Sequence, residues 1–161
     1  MKTVDQWLDE YGESHRNKTN KLIHWICVPT ILFTVLGMLT TIPSAGIFNW
    51  VPVEFSFLGN WAGVVILFAS IFYIRLSFWM FLGMAVISIA MLFGVRVVGK
   101  MHLAPIWMLF LGLFVLAWIG QFIGHKIEGK KPSFFKDLQF LLIGPAWLLG
   151  FIYRKIGLKY S

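Results

Sequence analysis

Residues 15–42 read HRNKTNKLIHWICVPTILFTVLGMLTTI. The first ten are largely polar and hold two histidines and two asparagines, whereas residues 22–42 contain no Asp, Glu, Lys or Arg. About 20 apolar residues cross a hydrocarbon core of ~30 Å, so residues 22–42 predict a transmembrane helix that stops at Pro43-Ser44. Two imidazoles and two amides then stand at the mouth of a membrane span. The same stretch could be a soluble core helix only in a protein with enough polar surface to cover it.

Composition decides between the two. Of 161 residues, 58% are hydrophobic and 13% charged, with mean hydropathy +0.77. Soluble domains carry about 25% charged residues, and a chain this short leaves too much surface exposed to hide the excess apolar area. The chain reads as an all-α integral membrane protein. Its start, MKTVDQWLDEYGES, is acidic and amphipathic and has no apolar run of the signal-peptide kind. The lone Cys27 excludes an internal disulfide. The net charge of +7 raises the question of nucleic acid, but in a membrane protein an excess of Lys and Arg reports topology, so no nucleic-acid partner is expected. Eight Trp and 16 Phe suit lipid contact and interfacial belts.

Four segments are expected to span, within a single membrane domain covering residues 1–161: 22–42, 57–74, 76–98 and 104–126. Arg75 splits the second from the third. Residues 3–14 predict an amphipathic surface helix with Val4, Trp7, Leu8 and Tyr11 on one face. The stretch 138–153 is short and is expected to break at Gly144-Pro145, which fits a re-entrant or interfacial helix better than a span. Of the 14 Lys and Arg residues, this arrangement puts only Arg96 and Lys100 on the far side. Positive loops stay in the cytoplasm, so both termini are expected there. The absence of targeting segments points to a bacterial plasma membrane.

The same topology sorts the histidines. His15, His24 and His125 reach the cytoplasmic face, where three imidazoles can share a ligand; His102 falls in the loop on the opposite side. Asn20 is the expected N-cap of the first span, and a break around residues 17–20 lets His15 turn toward His24. Gln121, His125 and Glu128 fall at i, i+4 and i+7 and stripe one helical face. Gly120 and Gly124 allow close approach of a neighbouring helix. Nitrogen and oxygen donors of this kind suit Fe(II), Zn(II) or Mn(II), with Asn17, Asn20 and Gln121 placed to fix imidazole tautomers. The plainer alternative is that each histidine is an interfacial side chain. Lys126, Lys130, Lys131 and Lys136 read most simply as positive-inside and anionic-lipid contacts, and Glu128 could pair with one of them.

Two blocks carry a resemblance. H-x-N-x-x-N-x-x-x-H at 15–24, followed by Pro29, and Q-F-I-G-H at 121–125, followed by Glu128, Pro132, Asp137 and Pro145, resemble a family of small multi-span membrane proteins. That family was formerly a domain of unknown function and includes the fungal iron(II)-dependent 2-hydroxy fatty acid dioxygenase of fatty-acid α-oxidation. The resemblance implies His15, His24 and His125 as iron ligands, with Asn17, Asn20, Gln121 and Glu128 supporting them. Glu128 stands three residues after His125, one fewer than in the family's fungal and plant pattern, a turn of about 100° on a helix that leaves its role open.

The resulting expectation is an Fe(II)-dependent dioxygenase, with Zn(II) as second choice of metal. It would cleave the C1–C2 bond of a 2-hydroxy fatty acid with O2, with Glu128 and Lys126 as candidate catalytic groups and Lys126, Lys130 or an Arg holding the substrate carboxylate. The bilayer is the expected partner, and homo-oligomerisation stays open. The rival readings are a zinc-dependent membrane hydrolase with Glu128 as base, a haem b carrier using His24 and His125, and a non-enzymatic lipid-binding or scaffold protein.

Overall fold

The computed structural model describes residues 2–101, 105–131 and 139–160. His102, Pro132, Lys136 and Asp137 lie outside the described residues. Among those described there are six α-helices, a 3-10 turn at Val53–Phe55, and no strand: α1 Val4–Gly12, α2 Lys18–Thr40, α3 Trp61–Leu76, α4 Phe78–Lys100, α5 Ile106–Glu128 and α6 Phe140–Lys155.

Helix α1 starts at a capping box. The Gln6 amide donates to Thr3 Oγ1, and the Thr3 amide donates to Gln6 Oε1 at 2.9 Å. Its buried residues are Val4, Trp7, Leu8 and Tyr11, the face that the helical spacing predicts. The expected cap of α2 is corrected: Asn17, not Asn20, accepts the amides of Thr19 and Asn20, so the helix begins at Lys18. Asn20 lies inside the first turn, fully buried, and its amide group is committed to other partners described below. The chain break that frees His15 therefore falls at residues 13–17, one residue-group earlier than the sequence suggests.

Helices α2, α4 and α5 are each 23 residues long and strongly apolar. At 1.5 Å per residue each is about 35 Å long, enough to cross a ~30 Å hydrocarbon layer. Their outward side chains are bare of protein; Phe93 is 65% and Leu116 64% exposed, as expected of a surface solvated by lipid. The second expected span is shorter than its sequence boundaries. Residues 53–55 form the 3-10 turn, and α3 starts only at Trp61, where Asn60 accepts the amides of Ala62 and Gly63. Its 16 residues reach about 24 Å, so among the described residues three helices have full membrane length. Ser77 is the whole connection between α3 and α4, two residues after Arg75, where the sequence placed the boundary.

Helix α5 packs most extensively on α2, and small residues make this possible. A Cβ at Gly120 would meet Cys27 Sγ at 2.6 Å, and one at Gly124 would meet Asn20 Oδ1 at 2.4 Å. The expected break at Gly144-Pro145 is also corrected: α6 runs unbroken through Pro145. The missing proline N–H removes one backbone hydrogen bond, and burial of seven α6 side chains offsets that loss. Tyr73 and Tyr153 tie α6 in place by donating to the carbonyls of Leu142 and Trp79, both at 2.7 Å. Helices α1 and α6 pack together beside the start of α2 and the end of α5, and the first block of the sequence is enclosed there.

Candidate metal centre

His15 follows the last turn of α1, His24 sits two turns into α2, and His125 lies in the last turn of α5. All three are buried, at 0%, 0% and 5% exposure. Their ring centroids are 4.2 Å (His15–His24), 5.0 Å (His15–His125) and 4.9 Å (His24–His125) apart, and the planes cross at 75°, 69° and 87°. One nitrogen from each lies within 4.8 Å of the other two.

The tautomers follow from the hydrogen bonds. His15 Nδ1 lies 2.6 Å from the Tyr11 carbonyl, and His24 Nδ1 lies 2.9 Å from the Asn20 carbonyl. A carbonyl only accepts, so Nδ1 carries the proton in both rings and Nε2 keeps a lone pair. Among the described residues, the buried nitrogens without a hydrogen-bond partner include His15 Nε2, His24 Nε2 and His125 Nδ1. Buried polar atoms are almost always satisfied, so three orphans converging on one point indicate a missing partner that accepts lone pairs. A metal ion fits that description, and backbone carbonyls that orient ligating imidazoles are the usual support. His15 lies outside the long helices; burial, together with the imidazoles of His24 and His125, pushes its pKa down to about 3. A neutral ring is the form that coordinates.

Tyr11 stacks on His15 at 4.2 Å and 14°, with Trp147 of α6 5.2 Å away. The sequence reading missed both. Tyr11 was legible as a buried face residue, and its i, i+4 relation to His15 is the signal that could have found it.

Glu128 is not one of the convergent groups. Its Oε1 accepts the Arg16 amide at 2.8 Å, and its Oε2 accepts the Asn17 amide at 2.9 Å and Asn20 Nδ2 at 3.0 Å. Asn20 Nδ2 also donates to the Ser14 carbonyl at 3.1 Å. The carboxylate thus fastens the α1–α2 loop just after His15 to the end of α5, while Asn20 holds Ser14 just before it. Asn17 supports the loop as a cap, and Gln121 is buried one turn before His125. Lys126 is exposed, and Lys130 Nζ donates to the Glu13 carbonyl at 2.8 Å.

Two cavities flank the histidines. A polar one of about 420 Å³ touches His15 and is bordered by Arg16, Lys21 and Arg154 and by the carboxylates Asp9 and Glu13; an apolar one of about 290 Å³ touches His125 and Gln121. Lys126 borders neither. A porphyrin does not fit between His24 and His125, whose centroids are 4.9 Å apart with His15 against both.

The profile of the Mpo1-like family, described as 2-hydroxy-palmitic acid dioxygenase Mpo1-like, matches residues 1–156. The chain belongs to the Mpo1-like family. It is 31% identical over 150 residues to the 2-hydroxy-palmitic acid dioxygenase MPO1 of Saccharomyces cerevisiae, an alignment that covers 91% of this chain and 78% of the yeast protein. No solved structure matches it. The Mpo1-like match spans both histidine-bearing blocks, and the three histidines that the sequence singled out are the three that the fold gathers.

Proposed function

We propose that this chain is a membrane-embedded, Fe(II)-dependent dioxygenase that shortens 2-hydroxy fatty acids by one carbon. The carrying observation is the convergence of three buried imidazole nitrogens without partners in a relative of a named 2-hydroxy-palmitic acid dioxygenase. His15, His24 and His125 would hold the ion. Three protein ligands leave coordination positions open for substrates. Bound iron would supply activation of O2 and a chelation point for the α-hydroxy-carboxylate. The reaction balances as one 2-hydroxy acid and one O2 giving the one-carbon-shorter acid, CO2 and water: the C1–C2 bond breaks, and C2 is oxidised to the carboxyl level as O2 is reduced.

The chain's own groups divide the remaining work. Tyr11 and Asn20 carbonyls hold the protons of His15 and His24 on Nδ1, so both rings present lone pairs inward. Glu128 keeps the loop that carries His15 closed. Arg16, Lys21 and Arg154 outnumber Asp9 and Glu13 around the polar cavity beside His15 and are better placed than Lys126, which borders neither cavity, to attract an acid headgroup. The surrounding aromatic rings and α6 limit water around the three nitrogens, which strengthens any electrostatic interaction made there. In this reading the N-terminus and the histidine face lie on the cytoplasmic side, α3 completes a four-span bundle, and the host is a bacterial plasma membrane.

The test is turnover. Protein loaded anaerobically with Fe(II) is given 2-hydroxypalmitic acid and 18O2, and products are read by mass spectrometry. Pentadecanoic acid carrying one 18O supports the proposal. Unchanged substrate, with iron bound, contradicts it.

A further inference from the structure

We infer that the apolar cavity between α2, α5 and α6 is the acyl subsite of this chain, and that Val35 and Phe114 at its far end set the length of acid it accepts. The inference rests on the substrate class proposed above and adds where the chain lies and what limits it.

The observation is one of register. Along α2, the face that carries His24 continues through Val28, Leu32 and Val35. Along α5, the face that carries His125 continues through Gln121, Trp118 and Phe114. All of these except His24 line the cavity. The spacings, i, i+4, i+8 and i+11 on one helix and i, i−4, i−7 and i−11 on the other, each keep to one helical face. The two helices run antiparallel, since Gly124 lies against Asn20 and Gly120 against Cys27. Both stripes therefore descend together from the histidines into the membrane. Eleven residues on either helix give a depth of about 16 Å.

Polarity changes along that depth. Imidazole and amide groups occur at the His125–Gln121 end, and the far end is Val35 and Phe114. An occupant that matches has one polar head and one unbranched apolar tail longer than a few methylenes. Val65 and Leu141, at the rim, are 41% and 46% exposed on the lipid-facing side. The cavity thus opens sideways, and a tail can enter from the bilayer without its head leaving the interface. Burying a methylene stabilises by about 0.8 kcal/mol in water-to-apolar transfer. That term vanishes between bilayer and groove, so the groove selects by length and fit and not by hydrophobicity.

The test uses the whole protein in phosphatidylcholine nanodiscs and a 2-hydroxypalmitic acid bearing a diazirine near its methyl end. After photolysis, labelled peptides are mapped with and without excess 2-hydroxypalmitic acid. Labels at Leu32–Val35 and Phe114–Trp118 that the competitor removes support the inference. Labels there that persist under competition mean non-specific partitioning of the probe and overturn it, as do competed labels confined to lipid-facing Phe93 or Leu116. In parallel, Val35→Trp should raise the ratio of 2-hydroxyoctanoic to 2-hydroxypalmitic acid turnover at least about tenfold, and Phe114→Ala should lower it, the size expected when a pocket gains or loses methylene-sized space. Equal ratios in wild type and both variants overturn the length limit. Competed labelling without turnover of any acid refutes the dioxygenase reading and leaves the subsite standing. Turnover with labels elsewhere refutes the subsite alone. Neither turnover nor competed labelling refutes both.

Discussion

Replacing Glu128 separates two jobs that a carboxylate beside a histidine cluster can do. Its two oxygens accept three hydrogen bonds, from the Arg16 and Asn17 amides and from Asn20 Nδ2. A hydrogen bond to a charged group is worth about 1.5–3 kcal/mol when buried. This carboxylate is only half-buried, and discounting each bond to ~0.5–1 kcal/mol for solvent screening gives about 2 kcal/mol for the clamp. If that energy holds His15 in place, Glu128→Ala weakens metal binding roughly 30-fold, at about 1.4 kcal/mol per decade. Glu128→Gln should fall between wild type and Ala, because its NH2 turns one accepting position into a donor facing donors. The assay is an anaerobic Fe(II) titration against a chelator of known affinity, in detergent, with turnover measured at saturating metal. We expect weaker metal affinity in both variants and partial recovery of turnover as Fe(II) is raised. Unchanged affinity with turnover lost in Glu128→Gln, at any metal concentration, would refute the clamp and make Glu128 a proton-transfer group.

Two glycines test the packing that carries the site. Gly124→Ala places a methyl 2.4 Å from Asn20 Oδ1; Asn20 is fully buried and tied to Ser14 and Glu128, so it has no room to yield, and we expect about 1–3 kcal/mol of destabilisation together with lower metal affinity, read by thermal unfolding and chelator competition. Unchanged values in both would mean that α2 and α5 are not packed this closely. Gly83→Ala meets the Tyr153 hydroxyl, between α4 and α6, neither of which carries one of the three histidines; the expected result is a lower Tm from loosened α4–α6 contact with metal per chain retained, and loss of metal equal to that of Gly124→Ala would contradict a site held locally by α1, α2 and α5.

The membrane class, the buried face of α1 and the three histidines were legible in the sequence because each rests on a local signal: hydropathy, period and residue type. Asn20 was misplaced for a physical reason. Asn17 and Asn20 are equally good caps by type, and the choice is made by Glu128, more than one hundred residues away, which recruits the Asn20 amide. Gly144-Pro145 was read as a break because local rules penalise a proline inside a helix; tertiary burial of α6 overrides that penalty. The stripe that Glu128 shares with His125 was legible, whereas its hydrogen bonds to Arg16, Asn17 and Asn20, more than one hundred residues away, were not. The apolar cavity was invisible as such, since Val28, Leu32 and Val35 look like any other lipid-facing or packing residues until α5 is laid against them.

The account stands most directly on one measurement: iron and zinc per chain in protein purified anaerobically in detergent, for wild type and for His24→Ala. About one iron per wild-type chain, lost in the variant while the variant remains folded, is the predicted result. No metal in the wild type even after Fe(II) is added back, or equal metal in both proteins, would contradict a shared site at His15, His24 and His125.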